Sequence, residues 1–270
     1  MIWYKRFGYK SNPFERDPFK IDYTLINSVH ILEDLLYLVK VGSLAVIQSP
    51  EGGGKTTTLR QIVDAFKGQG RVVYIDALKV GKSLDIEDVL NRKNSPLLSF
   101  VSSKKPKNMI LLLDNVEYLS STNCEKIKYY FDQNYIQSVV FATSNYESFQ
   151  ISQSLKDRIM NQVFTLPAIN KYDALRIIRN RFSDAFFLGD DAIYRIFKLS
   201  GENIKFTIRN CENVCRFVVQ EGRGEVLLKY IRLVLGKQKS QKIQKSQKSQ
   251  VKSQKQYETN AYKRSASVSS

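Results

Sequence analysis

Ser43-Leu-Ala-Val-Ile-Gln-Ser-Pro-Glu-Gly-Gly-Gly-Lys-Thr-Thr57 is the stretch whose reading decides the fold. Leu44 to Ile47 is a short apolar strand. It runs into a glycine-rich turn closed by Lys55 and Thr56, after which Leu59, Ile62, Val63 and Phe66 recur at helical spacing. Strand, glycine turn and helix with Gly-Lys-Thr at the junction is the context of a phosphate-binding P-loop. Glycines let the backbone curl round a phosphate, and the unpaired N–H groups of the helix start point at its oxygens. Ser49, Pro50, Gly52, Gly53, Gly54, Lys55, Thr56 and Thr57 are the candidate nucleotide-binding residues. Lys55 adds a full positive charge, and the Thr56 hydroxyl can complete a Mg²⁺ shell. The usual pattern has glycine five places before Gly54, where this chain has Ser49.

Working outward, the 270 residues give room for one large or two modest domains, and a hydrophobic fraction of 43% is ordinary for a globular chain. The formal charge of +16 is not ordinary. Residues 237–270 hold eight lysines, Arg264 and a single acid, Glu258, so this tail carries half of it. The cysteines Cys124, Cys211 and Cys215 fit a reducing compartment and read as small buried apolar residues. No apolar run approaches the ~20 residues of a membrane span, and the first residues lack a signal peptide's apolar stretch. The expectation is a cytoplasmic protein with no membrane partner.

Residues 1–20 combine Gly8, Pro13 and Pro18 with Trp3, Tyr4, Phe7, Tyr9, Phe14 and Phe19, aromatic surface that has to dock somewhere. A helix is expected from about Thr24 to Lys40. Beyond the P-loop unit, strands are expected at Arg71–Asp76, Met109–Asp114, Ser138–Asn145 and Gln162–Leu166. Helices are expected at Asp85–Asn91 and Thr122–Tyr135, with a loop from Ser95 to Lys107. Unbroken apolar strands separated by helices predict a parallel sheet covered on both faces. After Pro167 only helical patterns remain: Tyr172–Phe182, Ala192–Leu199, Lys205–Val219 and Glu225–Leu235. The fold class is therefore α/β, a P-loop three-layer sandwich with a five-stranded parallel sheet, followed by a small all-helical lid and a disordered basic tail. The expected division is an aromatic segment 1–20, a nucleotide-binding domain 21–168, a lid 169–236 and a Lys/Ser/Gln-rich tail 237–270. That tail has too little apolar area to offset chain entropy.

Hydrolysis needs a metal-holding acid and something to handle water. Asp114 ends its strand as a Walker-B aspartate does, beside the P-loop, so Thr56 and Asp114 form the candidate metal set. The next position ordinarily holds the glutamate that polarises the attacking water, and here it is Asn115. An amide orients water but cannot accept its proton. Glu117 follows two residues on.

With these residues in hand, the chain resembles an AAA+ ATPase, nearest the initiator-type branch that includes DnaA and the archaeal origin-recognition proteins. It is also similar to the compact ExeA and TnsC type ATPases. The resemblance covers roughly residues 7 to 222 and implies ATP and Mg²⁺ as ligands. Phe7-Gly8-Tyr9 with Asn12-Pro13-Phe14 looks like the segment those proteins lay against the adenine. The resemblance implies that Asn145 is the sensor-1 residue near the γ-phosphate. It further implies that Arg158, in Leu155-Lys-Asp-Arg158-Ile, is an arginine finger for a neighbouring subunit in a homo-oligomer. Asp114, Asn115, Asn145 and Arg158 are thus the candidate catalytic residues. For the sensor-2 cation of the lid, the resemblance leaves Lys205 and Arg209 open, because the usual glycine–acid–x–arginine spacing is not reproduced.

Lys242, Lys245, Lys248, Lys252 and Lys255 would share one helical face. On DNA up to ~8 counterions would be displaced, a log–log salt slope of at most about −7, and binding would be non-specific, through phosphates. As a coil the tail reaches roughly 32 Å. The leading expectation is an ATP-dependent, DNA-acting AAA+ protein in replication initiation or a related DNA transaction, with slow hydrolysis. The alternatives are an adaptor or loader with a protein client, such as a helicase, transposase or nuclease, and a nucleotide switch with negligible turnover.

Overall fold

The computed structural model describes residues 2–21, 25–68, 71–81, 84–89 and 108–236. The expected loop 95–107, the tail 237–270 and its lysine stripe, the start of the first helix at Thr24 and the end of the helix expected at 85–91 lie outside these residues.

Five strands form one sheet: β1 (Leu44–Gln48), β2 (Arg71–Asp76), β3 (Met109–Asp114), β4 (Ile136–Thr143) and β5 (Val163–Thr165), in the spatial order β2-β3-β4-β1-β5. Every neighbouring pair is parallel. Parallel neighbours cannot be joined by a hairpin, so each connection crosses over a face through a longer segment. β2 and β3 keep the bounds expected from sequence. β4 starts two residues earlier and stops at Thr143, and β5 shrinks to the three residues that pair with β1.

Alternation along the strands divides the core. Ala45, Ile47, Ile110, Leu112, Val140 and Ala142 face the helices α1 (Val29–Val41) and α2 (Lys55–Ala65), where Ile31, Leu35, Val39, Leu59 and Ile62 are buried. Leu44, Val46, Leu111, Leu113, Val139 and Phe141 face the other way. There they meet Cys124 and Ile127 of α4 (Ser121–Asp132) and Leu155 and Ile159 of α5 (Gln153–Ile159). The sandwich therefore has three layers, and the all-apolar strands follow from burial on both faces. A short helix α3 (Ala77–Val80) follows β2, its N-terminus capped by Asp76. The first helix begins at Val29 rather than Thr24. Its buried face is Ile31, Leu35 and Val39, and Val29 is 49% exposed.

The helical part contains α6 (Lys171–Arg181), α7 (Asp190–Leu199), α8 (Ile204–Gln220) and a last helix over residues 228–236. α6 opens with a capping box in which Asn170 and Asp173 exchange side-chain-to-backbone bonds, two orphan donors satisfied at once. The aromatic segment docks here. Trp3 and Phe14 are buried in one cluster with Ile178, Phe182, Phe187, Ile193, Cys211, Val214 and Ile231. Prolines do not prevent a five-residue 3₁₀ turn, Trp3–Phe7, upstream of Pro13. Asn12 donates to Glu212 at 3.0 Å and Arg181 donates to the Glu15 carbonyl at 2.8 Å, tying the strap along the helices.

Candidate functional site

β1 delivers its chain into the P-loop at the carboxyl end of the sheet. Gly52 (φ +86°) and Gly54 (φ +96°) take the left-handed conformation that side chains rarely adopt, and Gly54 is the N-cap of α2. Having no side chain, Gly54 leaves the first N–H groups of α2 uncapped for an anion. Ser49 is compatible with the loop for a visible reason. Its buried hydroxyl occupies the space beside Gly53, where a Cβ would lie 1.5 Å from Ser49 Oγ. A side chain at position 53 would force Ser49 to move.

Lys55 is buried, and its ammonium donates to the carbonyls of Ser49 (2.5 Å) and Pro50 (3.3 Å), inside the turn where phosphate oxygens would compete for it. Burial lowers its pKa below the usual lysine value, while the carboxylates of Asp114, Glu117 and Glu51 act in the opposite sense. Thr56 Oγ1 donates to Asp114 Oδ2 at 2.6 Å, so the sheet order brings together a hydroxyl and an acid 58 positions apart. Asp114 is 2% exposed, and burial raises its carboxyl above the ordinary range despite the bonds from Thr56 and Tyr74. A buried, hydroxyl-paired carboxylate one strand from a buried lysine fits a divalent cation held by Thr56 and Asp114 beside a polyphosphate. Thr57 is half-buried in the first turn of α2.

Two contributors went unnoticed in the sequence, both on β2. Tyr74 Oη donates to Asp114 Oδ2 at 3.1 Å, and Asp76 Oδ1 accepts from Asn115 Nδ2 at 2.8 Å. The register pairs Asp76 with Asp114, so residues 74 and 76 project from the same face toward β3. A tyrosine and an aspartate spaced by two around Ile75, after Val72 and Val73, were the available signal. Phe19, at the end of the aromatic strap, packs on Tyr74 (ring centroids 4.5 Å) and lies 5.5 Å beneath the Arg60 guanidinium. The strap thus runs from the helical core to the side chain that holds Asp114. Its buried aromatics, Trp3 and Phe14, are absorbed by the helical core rather than left open above the P-loop.

The helical part also reaches the P-loop directly. Asn203, the N-cap of α8, accepts from Phe206 N and donates to the Glu51 carbonyl at 2.6 Å. A Cβ on Gly52 would lie 2.4 Å from Asn203 Oδ1. Lys205 Nζ meets Glu51 Oε1 at 2.6 Å. Arg209, one turn further on, lies 4.9 Å over Phe206. The hydrogen bond from Lys205, aided by the charges of Lys55 and Arg209, depresses the Glu51 carboxyl. Of the two lid cations, Lys205 is thus the one that touches the P-loop, and Arg209 stands in the same field.

Asn145 lies at the carboxyl end of β4, two residues past Thr143, and is exposed; its Oδ1 caps a turn by accepting from Glu147 N at 3.0 Å. Glu117 accepts from Ser144 Oγ at 3.0 Å, linking the turn after β3 to the same loop. Arg158 is elsewhere. It occupies the last turn of α5, just before β5 begins, and pairs with Asp132 at 3.2 Å with its side chain 55% exposed. With Val41, Gly42, Asn108 and Gln137 it lines an open cleft at the amino ends of the strands, opposite the P-loop.

No protein-family model matches the sequence, and no curated protein matches it either. Solved structures do. Cdc6p from Pyrobaculum aerophilum aligns with a TM-score of 0.68 at 15% identity, over 84% of this chain and 70% of that one. The Aeropyrum pernix ORC1 protein, solved in complex with DNA, gives 0.66 at 12% identity, over 83% and 69%. Domain III of the Thermotoga maritima replication initiation protein DnaA gives 0.60 at 17% identity, over 84% and 97%. The fold of this chain is that of the AAA+ ATPases.

Proposed function

We propose that the chain binds Mg²⁺·ATP in the P-loop, hydrolyses it slowly, assembles with copies of itself and acts on DNA in replication initiation or a related transaction. The observation that carries the reading is the junction of Lys55, Thr56 and Asp114, with Thr56 Oγ1 and Asp114 Oδ2 2.6 Å apart at the mouth of a glycine turn. Lys55, the amides of residues 52–57 and one lid cation, Lys205 or Arg209, would hold the phosphates. The metal, held by Thr56 and Asp114, would supply charge neutralisation to the triphosphate. Asn145, at the carboxyl edge of β4, is suited to orienting water near the terminal phosphate. Arg158, at the far end of the sheet from its own Lys55 and paired with Asp132, would have to leave that pair to serve a neighbour's nucleotide in a homo-oligomer, the role the resemblance gives it.

Charge favours DNA as the partner. Residues 1–20 and 169–236 hold 17 basic and 10 acidic side chains, net +7, against 16 and 15, net +1, for residues 21–168. The strap and helical part are thus basic, the sandwich is nearly neutral, and the tail adds +8. Phosphate contacts from these elements would be strong at low salt and blind to sequence. No described helix is long and apolar enough to cross a membrane, and cytoplasmic residence agrees with three free, buried cysteines.

The test is calorimetric titration of Mg²⁺·ATP into the full chain, with oligomer mass and duplex-DNA binding measured with and without nucleotide. Saturable heat that disappears in Lys55→Ala, and ATP-sensitive DNA binding at low salt, are expected. Absence of ATP heat from folded protein overturns the reading. Asn115 also favours a nucleotide switch with negligible turnover, and steady phosphate release that vanishes in Lys55→Ala excludes that alternative.

A further inference from the structure

Asn203 makes two bonds in different directions with one side chain. Its Oδ1 accepts from Phe206 N at 3.3 Å and so caps α8, while its Nδ2 donates to the Glu51 carbonyl at 2.6 Å, 152 positions back in the P-loop. The whole amide lies over Gly52, where a Cβ would come within 2.4 Å of Oδ1, 2.9 Å of Cγ and 3.0 Å of Nδ2. So close an approach is open only to a residue without a side chain. The Asn203 carbonyl is fastened in turn, accepting from the N–H and the hydroxyl of the buried Thr207 at 2.9 and 2.8 Å. The contact is thus built from both sides, by a glycine in the loop and by an anchored amide on the helix.

The two bonds make opposite demands. A cap must present an acceptor to the helix amide, and the Glu51 carbonyl needs a donor. Aspartate caps as well as asparagine but has no donor. Serine and threonine have a single oxygen in place of two arms. Of the good N-caps, asparagine alone answers both demands.

Fixing the first turn of α8 against the loop also fixes what that turn carries. Lys205 and Arg209 stand four apart on one helix face. Lys205 Nζ reaches Glu51 Oε1 at 2.6 Å, and Arg209 lies over Phe206. The ion pair is between side chains 53% and 61% exposed, so in water it holds α8 in place only weakly. The bond from Asn203 joins the helix start to the backbone of the loop itself.

We propose that Asn203 is a positioning residue of the nucleotide site: with one amide it caps α8 and grips the P-loop at Glu51, so that the lid cations Lys205 and Arg209 stand beside the loop before nucleotide arrives. A cation already in place spares the complex the entropy of ordering it. The inference rests on the ATP-binding reading above and deepens it.

The experiment measures affinity for a fluorescent non-hydrolysable ATP analogue with Mg²⁺, using the full-length chain throughout. Asn203→Ser and Asn203→Asp, which both keep a cap, are made in the parent and in a Lys205→Met/Arg209→Met background. In the parent, Asn203→Ser is expected to weaken binding about fivefold, the net worth of one hydrogen bond, and Asn203→Asp at least as much. In the cation-free background, where Lys55 still holds the phosphates, Asn203→Ser is expected to change affinity less than about twofold. Parental affinity in both position-203 variants overturns the inference. So does an equal loss in the two backgrounds, which would mean that Asn203 only shapes the fold. A parent that binds while the cation-free background binds as tightly overturns this inference alone. A parent that fails to bind overturns the ATP-binding reading itself.

Discussion

Truncating Phe14 to alanine tests whether the aromatic strap is an integral part of the helical body. Phe14 is fully buried, stacks on Trp3 with ring centroids 5.8 Å apart and 12° between planes, and lies 5.7 Å from Phe182. Removing a buried phenyl ring costs about 3–5 kcal/mol in transfer and cavity terms. With a urea dependence of about 2 kcal/mol per molar, the midpoint of the helical body should fall by about 2 M. Against a domain stability of about 5–15 kcal/mol that is enough to loosen the strap under native conditions. The assay is built into the chain: Trp3 is its single tryptophan and is 6% exposed, so its emission reports strap docking and little else. Phe14→Ala should shift that emission to the red before any urea is added, with most of the far-ultraviolet helical signal retained. Unchanged emission together with a midpoint shift below about 0.5 M would refute the claim that the strap completes the helical core.

Tyr74→Phe removes one of the two donors to Asp114 Oδ2 while leaving the ring under Phe19, and should raise the Mg²⁺ needed for half-saturation of ATP binding about 10- to 100-fold. Nucleotide binding without Mg²⁺ should not move; equal losses in both would mean that the ring, not the hydroxyl, matters. Burial raises the thiols of Cys124 and Cys211 to about 12 and that of Cys215 well above its usual value. A raised thiol pKa leaves a thiolate fraction of about 10⁻⁴ or less at pH 8, so a disulfide reagent should label none of the three until the chain is unfolded, and then all. Gly52→Ala places a methyl against Asn203 Oδ1 in a left-handed backbone position, which should destabilise the loop by about 1–3 kcal/mol and weaken analogue binding; a wild-type melting temperature and affinity would contradict the described contact.

Much of the nucleotide half of the site was legible without coordinates. A glycine turn between an apolar strand and a helix is a local signal, and so are runs such as Arg71–Asp76 and Met109–Asp114, whose observed bounds match the sequence reading. Lys55, Thr56 and Asp114 were recognisable because each is the end of such an element. The helix expected to start at Thr24 was overextended because Ile26 and Val29 continue the apolar pattern. The buried stripe, Ile31, Leu35 and Val39, is set by where the sheet offers a surface.

The sequence by itself determined the succession of the main strands and helices and the glycine turn between β1 and α2, since periodicity, glycine freedom and helix-end chemistry act between residues a few positions apart. Only the tertiary structure decided the strand order. That order places Tyr74 and Asp76 beside Asp114 and Asn115, nearly 40 positions away, and sends Arg158 to the opposite end of the sheet. It likewise decided that Phe14 completes the helical core and that Asn203 and Lys205 close on Glu51. The physical reason is that parallel strands meet only through long crossovers, so neighbours across the sheet are chosen by the packing of whole layers and leave no trace in any short window of the chain.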